Sequence, residues 1–114
     1  MPKKNESETY KEIAIKSAGK LKSLLLLVNR AILLLKEAKE DKEKTRENII
    51  KTQNILAQLE KALNFKEGDL AGDLFFIYDY LFAELNNMDD KAIDTSIKML
   101  TDLKETFTAI QKRL

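Results

Sequence analysis

The sequence contains no cysteine and no histidine among its 114 residues. Thiolate nucleophiles, disulfide bonds, imidazole bases and the usual zinc and haem ligands are therefore excluded by composition. Carboxylate metal sites in helical bundles also need Glu-x-x-His pairs, which this chain cannot supply. No glycine-rich phosphate loop and no serine beside a general base can be recognised. We therefore predict a protein that is not an enzyme and that has no cofactor and no metal site.

Turn-forming residues are also scarce. Three glycines and one proline leave little room for the turns of a β-sandwich or barrel. Hydrophobic residues make up 44% and charged residues 34% of the chain, a profile typical of helical proteins. A chain of this length fits one domain and can bury roughly two-thirds of its unfolded surface without disulfides. We predict a single all-α domain over residues 1–114.

Long apolar runs and an excess of one charge are missing as well. Runs such as Leu24–Val28 are far shorter than the roughly 20 residues that a membrane-spanning helix needs. The net charge of +1 provides no field that would attract nucleic acid. The first residues, MPKKNESETY, have no apolar stretch after the lysines, unlike a secretory signal peptide. The sequence thus predicts a cytoplasmic protein with no nucleic-acid binding and no membrane insertion.

The apolar periodicity predicts a polar N-terminal arm followed by four helices. Residues 1–19 hold few apolar side chains, so we expect a mobile or short helical arm there. Residues 20–114 show helical spacing interrupted by three polar segments of about two to six residues. Such short connections join antiparallel neighbours. The prediction is an antiparallel up-and-down four-helix bundle with this arm.

Capping residues predict where the helices begin and end. The first helix is expected over about residues 20–42, and the second from just after Thr45 to about Asn64. Gly68 and Asp69 are the expected stop and N-cap before the third helix. At the other boundaries, Thr45 is the predicted N-cap of the second helix, and Asn86 or Asn87 is the predicted left-handed C-cap of the third. The pair Asp89 and Asp90 is expected to cap the start of the fourth helix.

Two of the predicted helices carry more apolar surface than one core needs. In the third helix the first stripe, which is expected to face the core, is Leu70, Leu74, Ile77 and Leu81. The second stripe is Ala71, Phe75, Tyr78 and Phe82. In the first helix the first stripe is Leu21, Leu25, Val28, Ile32 and Leu35. The second stripe is Leu24, Leu27, Ala31, Leu34 and Ala38. Further apolar residues, Phe76, Tyr80, Leu26 and Leu33, lie on another side again. We expect these surfaces to be buried among neighbouring helices or to bind another chain.

The third helix also carries a family signature. Residues 67–71, EGDLA, followed by Asp73-Leu74 and by residues 77–81, IYDYL, resemble the Lys-Gly-Gly-Glu-Ile-Ala, Asn-Leu and Leu-Tyr-Asp-Tyr-Met pattern of the flagellin-specific export chaperones, the FliS family. Residues 26–32 are similar to the family's Met-Leu-Tyr-Asp-Gly-Ala-Ile, although Val28-Asn29 replaces Tyr-Asp. Residues 94–107 resemble the family's terminal helix, and Tyr10 falls where the family carries a tyrosine in its arm.

The resemblance implies a cytoplasmic helical bundle that binds the C-terminal segment of flagellin. That segment is disordered in the free monomer and wraps around the chaperone in partly helical pieces, which prevents early polymerisation and helps delivery to the flagellar export gate. We expect the partner-binding residues to be Tyr10, Leu24, Leu27, Val28, Asn29, Leu34, Phe75, Tyr78, Asp79 and Phe82. Asn29 and Asp79 are the candidate polar anchors. For Tyr78 the alternative is a core tyrosine.

Other interpretations of the spare apolar surface stay open. Identical subunits would bury it in a structural homo-oligomer, so self-association is one alternative. A regulatory module that binds a different amphipathic helix is another. The arm also suggests that Tyr10 and Ile13 cover a groove until the partner arrives.

Overall fold

The computed structural model describes residues 6–67 and 69–113, and the side chains of residues 20–66 and 69–113. The four α-helices are α1, Glu6–Glu40; α2, Thr45–Lys61; α3, Asp69–Leu85; and α4, Asp90–Lys112. A short 3-10 helix, Phe65–Glu67, precedes α3. No β-strand occurs in these ranges, so the predicted all-α class is confirmed.

The helices form a bundle in which α1 and α3 are diagonal to each other. α1 packs against α2 and α4, and α3 packs against the same two helices. Between the described residues of α1 and α3, no pair of Cα atoms lies within 8 Å. Short connections make helices that follow each other antiparallel, as expected for an up-and-down bundle. This arrangement agrees with the predicted four-helix bundle.

Every helix contributes side chains to one continuous core. Leu35, Leu56, Leu81 and Leu100, one from each helix, are fully buried. Small residues on α1 and α4, among them Ala38 and Ala92, are also fully buried and allow close helix approach. All five residues of the first stripe predicted on α1 belong to this core. The core therefore uses one side of α1 and leaves the others for different contacts.

Polar side chains of α2 connect it to both of its neighbours. The Nδ2 of Asn48 donates a hydrogen bond of 2.9 Å to the carbonyl oxygen of Leu34 on α1. The Nε2 of Gln53 donates to the carbonyl oxygen of Phe82 at 3.0 Å and to Oδ1 of Asn86 at 2.7 Å, at the end of α3. These bonds fix which side of α1 and which side of α3 faces α2.

The backbone of residues 6–19 continues α1 without a break. This agrees with the helical form of the predicted arm, and the described helix begins at Glu6 where we expected residue 20. Residues 1–5 and the side chains of residues 6–19, including Tyr10 and Ile13, lie outside the described part of the structure. The expected contacts of these two side chains therefore stay predictions.

The caps of α2 and α4 differ in how well they were predicted. Asp89 is the N-cap of α4, and its carboxylate accepts a bond of 2.8 Å from the backbone N–H of Ala92, which confirms the prediction. The predicted N-cap at Thr45 is wrong, since α2 begins at Thr45 after Lys44. The Thr45 hydroxyl donates instead to the carbonyl oxygen of Ala38 at 2.7 Å. It satisfies an acceptor near the end of α1, where carbonyl groups lack helical partners.

The boundaries of α3 were also partly mispredicted. Asp69 is the first residue of α3 and not its cap, and it places a negative charge in the first turn. After α3, Met88 adopts the left-handed conformation with φ of 55°, while Asn86 and Asn87 do not. The N–H of Met88 donates to the carbonyl oxygen of Leu85 at 3.1 Å, which satisfies an acceptor of the last helical turn.

The core side of α3 lies between the two stripes predicted for it. The buried residues are Ala71, Tyr78, Leu81 and Leu85, drawn from both stripes and from the next turn. Leu70, expected in the core stripe, is exposed. Because α2 covers one flank of α3 and α4 covers the other, the line of greatest burial runs between them. The residues at the margins of this line are only partly buried or exposed.

Candidate protein-binding surfaces

Three leucines of α1 border the neighbouring helix α2. Leu24, Leu27 and Leu34 are half-buried and pack against the core. The bond from Asn48 to the Leu34 carbonyl places α2 on this side of α1. Leu27 and Leu34 are separated by two helical turns, about 10 Å along the axis. We call these three leucines the α1–α2 seam.

The margin of α3 that faces α2 has a similar pattern built from aromatic residues. Phe75 and Phe82, also two turns apart, are each 37% exposed. The bond from Gln53 to the Phe82 carbonyl places α2 beside them. Asp79 is exposed on the turn between the two rings. We call Phe75, Asp79 and Phe82 the α2–α3 seam.

The two seams therefore flank one helix, α2. α1 and α3 do not form one shared surface, because they are diagonal in the bundle. The exposed residues of α2 include Ile50 and the ion pair between Lys51 and Glu47, whose Nζ and Oε1 atoms are 2.9 Å apart. A partner that contacts both seams has to cross α2 or pass around one end of it.

Three of the expected contact residues lie elsewhere in the structure. Val28 is fully buried and Tyr78 is 1% exposed, so both are core residues with no surface for a partner. Burial raises the pKa of Tyr78 to about 12. Asn29 is half-buried and lies about 160° around α1 from Leu27, away from the α1–α2 seam. The seams thus retain six of the ten expected residues, while Tyr10 lies outside the described side chains.

Four strongly exposed apolar residues face away from the bundle. On α1 these are Leu26 and Leu33, which are 64% and 66% exposed. On α3 they are Phe76 and Tyr80, which are 74% and 48% exposed. Their position on a further side of each helix is evident from helical spacing, but we did not predict them as site residues. Spacing places them together on one side of each helix, and the packing of the described residues shows that this side has no neighbouring helix.

Aromatic residues around the start of α3 also contact one another. The ring centroids of Phe65 and Phe75 are 6.0 Å apart, and those of Phe75 and Phe76 are 6.5 Å apart. Both pairs are edge-to-face, a favourable geometry for aromatic rings at this separation. Phe65 and Phe76 nevertheless remain largely exposed. This aromatic cluster extends from the α2–α3 seam onto the outer side of α3.

The described part of the chain presents exposed and half-buried apolar surfaces. No group of three or more carboxylates in this part of the chain is placed to hold a metal ion. None of the described helices is both long and apolar enough to cross a bilayer. Apolar side chains at two-turn spacing along open seams are typical of proteins that bind amphipathic helical segments. The structure is therefore a helical bundle whose open apolar seams are candidate protein-binding surfaces.

Comparison with known proteins assigns this bundle to a family. The family model described as Flagellar protein FliS matches residues 3–114. The chain belongs to the FliS family, the flagellar export chaperones, which confirms the resemblance seen in the sequence. No curated protein and no solved structure gives a significant match. Members of this family are in general cytoplasmic, flagellin-binding chaperones and not enzymes.

Proposed function

We propose that this protein is a cytoplasmic export chaperone for flagellin. It binds the disordered C-terminal segment of flagellin, prevents premature polymerisation and aids delivery to the flagellar export apparatus. Family membership supports this function. The structural observation that carries it is the pair of apolar seams on either side of α2, with Leu27 and Leu34 in one and Phe75 and Phe82 in the other.

Each seam fits one helical piece of the client. An amphipathic helix presents apolar side chains at spacings of three, four and seven residues, which match contacts two turns apart on α1 and α3. Asp79 lies between Phe75 and Phe82 and can accept a hydrogen bond from a polar group of the client. A non-helical stretch of client then connects the two pieces across α2.

Two seams also suit the energetics of a client that folds as it binds. Ordering a disordered segment consumes about 2–5 kcal/mol or more of the gross interaction energy, so a large apolar area has to be buried. A single row of half-buried leucines provides little such area, because Leu24, Leu27 and Leu34 already pack partly against the core. Adding the phenylalanine seam extends the contact. Tyr10, in the N-terminal part of α1, stays a predicted contact.

Co-purification tests the function directly. We expect the full chain to form a one-to-one complex with the C-terminal segment, about 50 residues long, of flagellin from the same cell, a length chosen to cover an interface of standard size or more. An N-terminal flagellin segment of equal length is the control and should not bind. Failure of the folded chain to retain the C-terminal segment would contradict the proposal. A concentration-independent dimer that has no affinity for the segment would instead favour the structural homo-oligomer.

A further inference from the structure

The outer face of α3 has features that the two seams do not use. It consists of Asp69, Gly72, Asp73, Phe76 and Tyr80, which follow one another at helical spacing on the side away from the bundle. The Phe76 ring is 74% exposed. A Cβ atom built on Gly72 would meet no other atom within 4 Å. Gly72 therefore leaves open space one turn before Phe76, and neighbouring helices do not fill it.

The charge on this helix has only one sign. α3 contains four carboxylates, those of Asp69, Asp73, Asp79 and Glu84, and no basic residue. The ion pairs among the described side chains all involve other parts of the chain, such as Lys39 with Asp94 at 2.6 Å. The carboxylates of α3 thus have no cationic partner in the described structure.

Unneutralised carboxylates beside exposed aromatic rings favour a ligand that is both apolar and positively charged. Lysine and arginine side chains meet both requirements, because they pair with carboxylates and also stack their cationic groups on aromatic faces.

We propose that the outer face of α3 is a second docking surface, which binds a helical segment of a partner protein whose apolar side chains are flanked by lysine or arginine. Phe76 and Tyr80 pack against the apolar side chains of that segment, while Asp69 and Asp73 pair with its cations. The open space at Gly72 lets the partner approach the α3 backbone closely. This surface shares no residue with the seams assigned to flagellin, although the Phe76 ring contacts Phe75 of the α2–α3 seam. We therefore expect the chaperone to carry its client and the partner at once.

Symmetric pairing of two copies through this surface is unfavourable. Two outer faces of α3 placed against each other would oppose Asp69 and Asp73 to identical carboxylates, and like charges across an interface are unfavourable. The outer face of α1, with Leu26, Arg30 and Leu33, is basic and apolar, so a head-to-tail contact between copies is the competing arrangement. The experiment has to distinguish this contact from a foreign segment.

Two synthetic peptides serve as probes. Each is an amphipathic helix of about 18 residues, five turns long, with an identical leucine stripe. One carries lysine at the flanking positions and the other carries glutamate. Fluorescence anisotropy with the full chain should show that the lysine peptide binds at least about 10-fold more tightly, a difference of about 1.4 kcal/mol. Equal affinity for the two peptides would overturn the proposal.

Variants locate the binding surface. We expect Phe76→Ser to weaken lysine-peptide binding by about 10-fold or more, as for an aromatic anchor, and Asp73→Asn to weaken it by a smaller factor. Leu33→Ser, on the outer face of α1, and Glu105→Gln, at an exposed acidic site on α4, are the matched controls and should leave binding unchanged. An equal loss in either control would show nonspecific adsorption and would overturn the proposal.

Two further measurements separate the competing occupants. A saturating amount of the flagellin C-terminal segment should leave the affinity for the lysine peptide unchanged, and displacement of the peptide would overturn the assignment of a separate surface. Sedimentation of the chain alone should show no self-association that depends on Phe76. Self-association that Phe76→Ser abolishes would identify a second copy as the occupant. If flagellin does not bind at all, the proposed function fails, but the peptide measurements still test the outer face of α3.

Discussion

Replacing Phe75 with aspartate is expected to weaken binding of the flagellin C-terminal segment by about 30- to 1000-fold, or about 2–4 kcal/mol. The Phe75 ring is partly exposed in the α2–α3 seam, where the change would remove an aromatic anchor and put a charge in the contact. The ring is 37% exposed and lies outside the buried core, so the melting temperature should fall less than for a core change such as Tyr78→Ala. Calorimetric titration, together with a thermal melt of each variant, measures both quantities.

The adjacent residue is a matched control for this prediction. Phe76→Asp introduces the same charge one position further on, at a ring that is more exposed and faces away from the seam. Its affinity for the flagellin segment should stay within about 3-fold of the wild type, as expected for a position outside the contact. If Phe76→Asp loses the client and Phe75→Asp keeps it, the flagellin surface lies on the outer side of α3.

Replacing Tyr78 with alanine is expected to lower the free energy of unfolding by about 3–5 kcal/mol, the range observed for large-to-small changes of aromatic core residues. Tyr78 is among the largest fully buried side chains and packs with leucines from the whole bundle. Tyr78→Phe keeps the ring and should retain most of the stability. Chemical denaturation of the three proteins measures the difference.

The same pair of variants distinguishes a core role from a partner contact at Tyr78. Tyr78→Phe should bind the flagellin segment with wild-type affinity, because the ring and hydroxyl are buried in the core. A Tyr78→Ala protein that melts like the wild type but loses the client would contradict the core assignment. It would restore the contact role that the sequence suggested.

The number of helices was predictable because apolar residues repeat at helical spacing along most of the chain. Asp89 was identified as a cap because its carboxylate can accept a backbone N–H at the start of a helix, as it does from Ala92. Thr45 and Met88 were not predictable in this way. Both serve acceptors of the preceding helix, and a sequence pattern does not reveal which unsatisfied group a boundary residue will contact.

The rotation of α3 was the main structural feature that the sequence could not provide. Helical spacing tells which residues share a side, but not which sides have neighbours. Leu70 and Phe75 are equally plausible core residues until α2 and α4 are in place. The hydrogen bonds of Gln53 to the end of α3 then fix the orientation. They leave Leu70 exposed and put Tyr78 in the core.

The residues of the candidate site, like the core residues of α3, were predictable only in part. The second apolar stripes of α1 and α3 identified four seam residues that lie beside α2, namely Leu27, Leu34, Phe75 and Phe82. Val28 and Tyr78 belonged to the same patterns but are buried. The outer residues Phe76 and Leu33 were placed on a further side of their helices, but they were not predicted as site residues. Their exposure reflects the diagonal placement of α1 and α3, which only the packing reveals.

The most direct test of the two-seam site is nuclear magnetic resonance of the labelled chain during titration with the flagellin C-terminal segment. We expect the methyl signals of Leu27 and Leu34 and the ring signals of Phe75 and Phe82 to shift, with the methyl signals of Leu33 unchanged. Saturable shifts in both groups would show that the client occupies both sides of α2. Shifts in neither group, or shifts confined to Leu33, would contradict the assignment of the seams to flagellin.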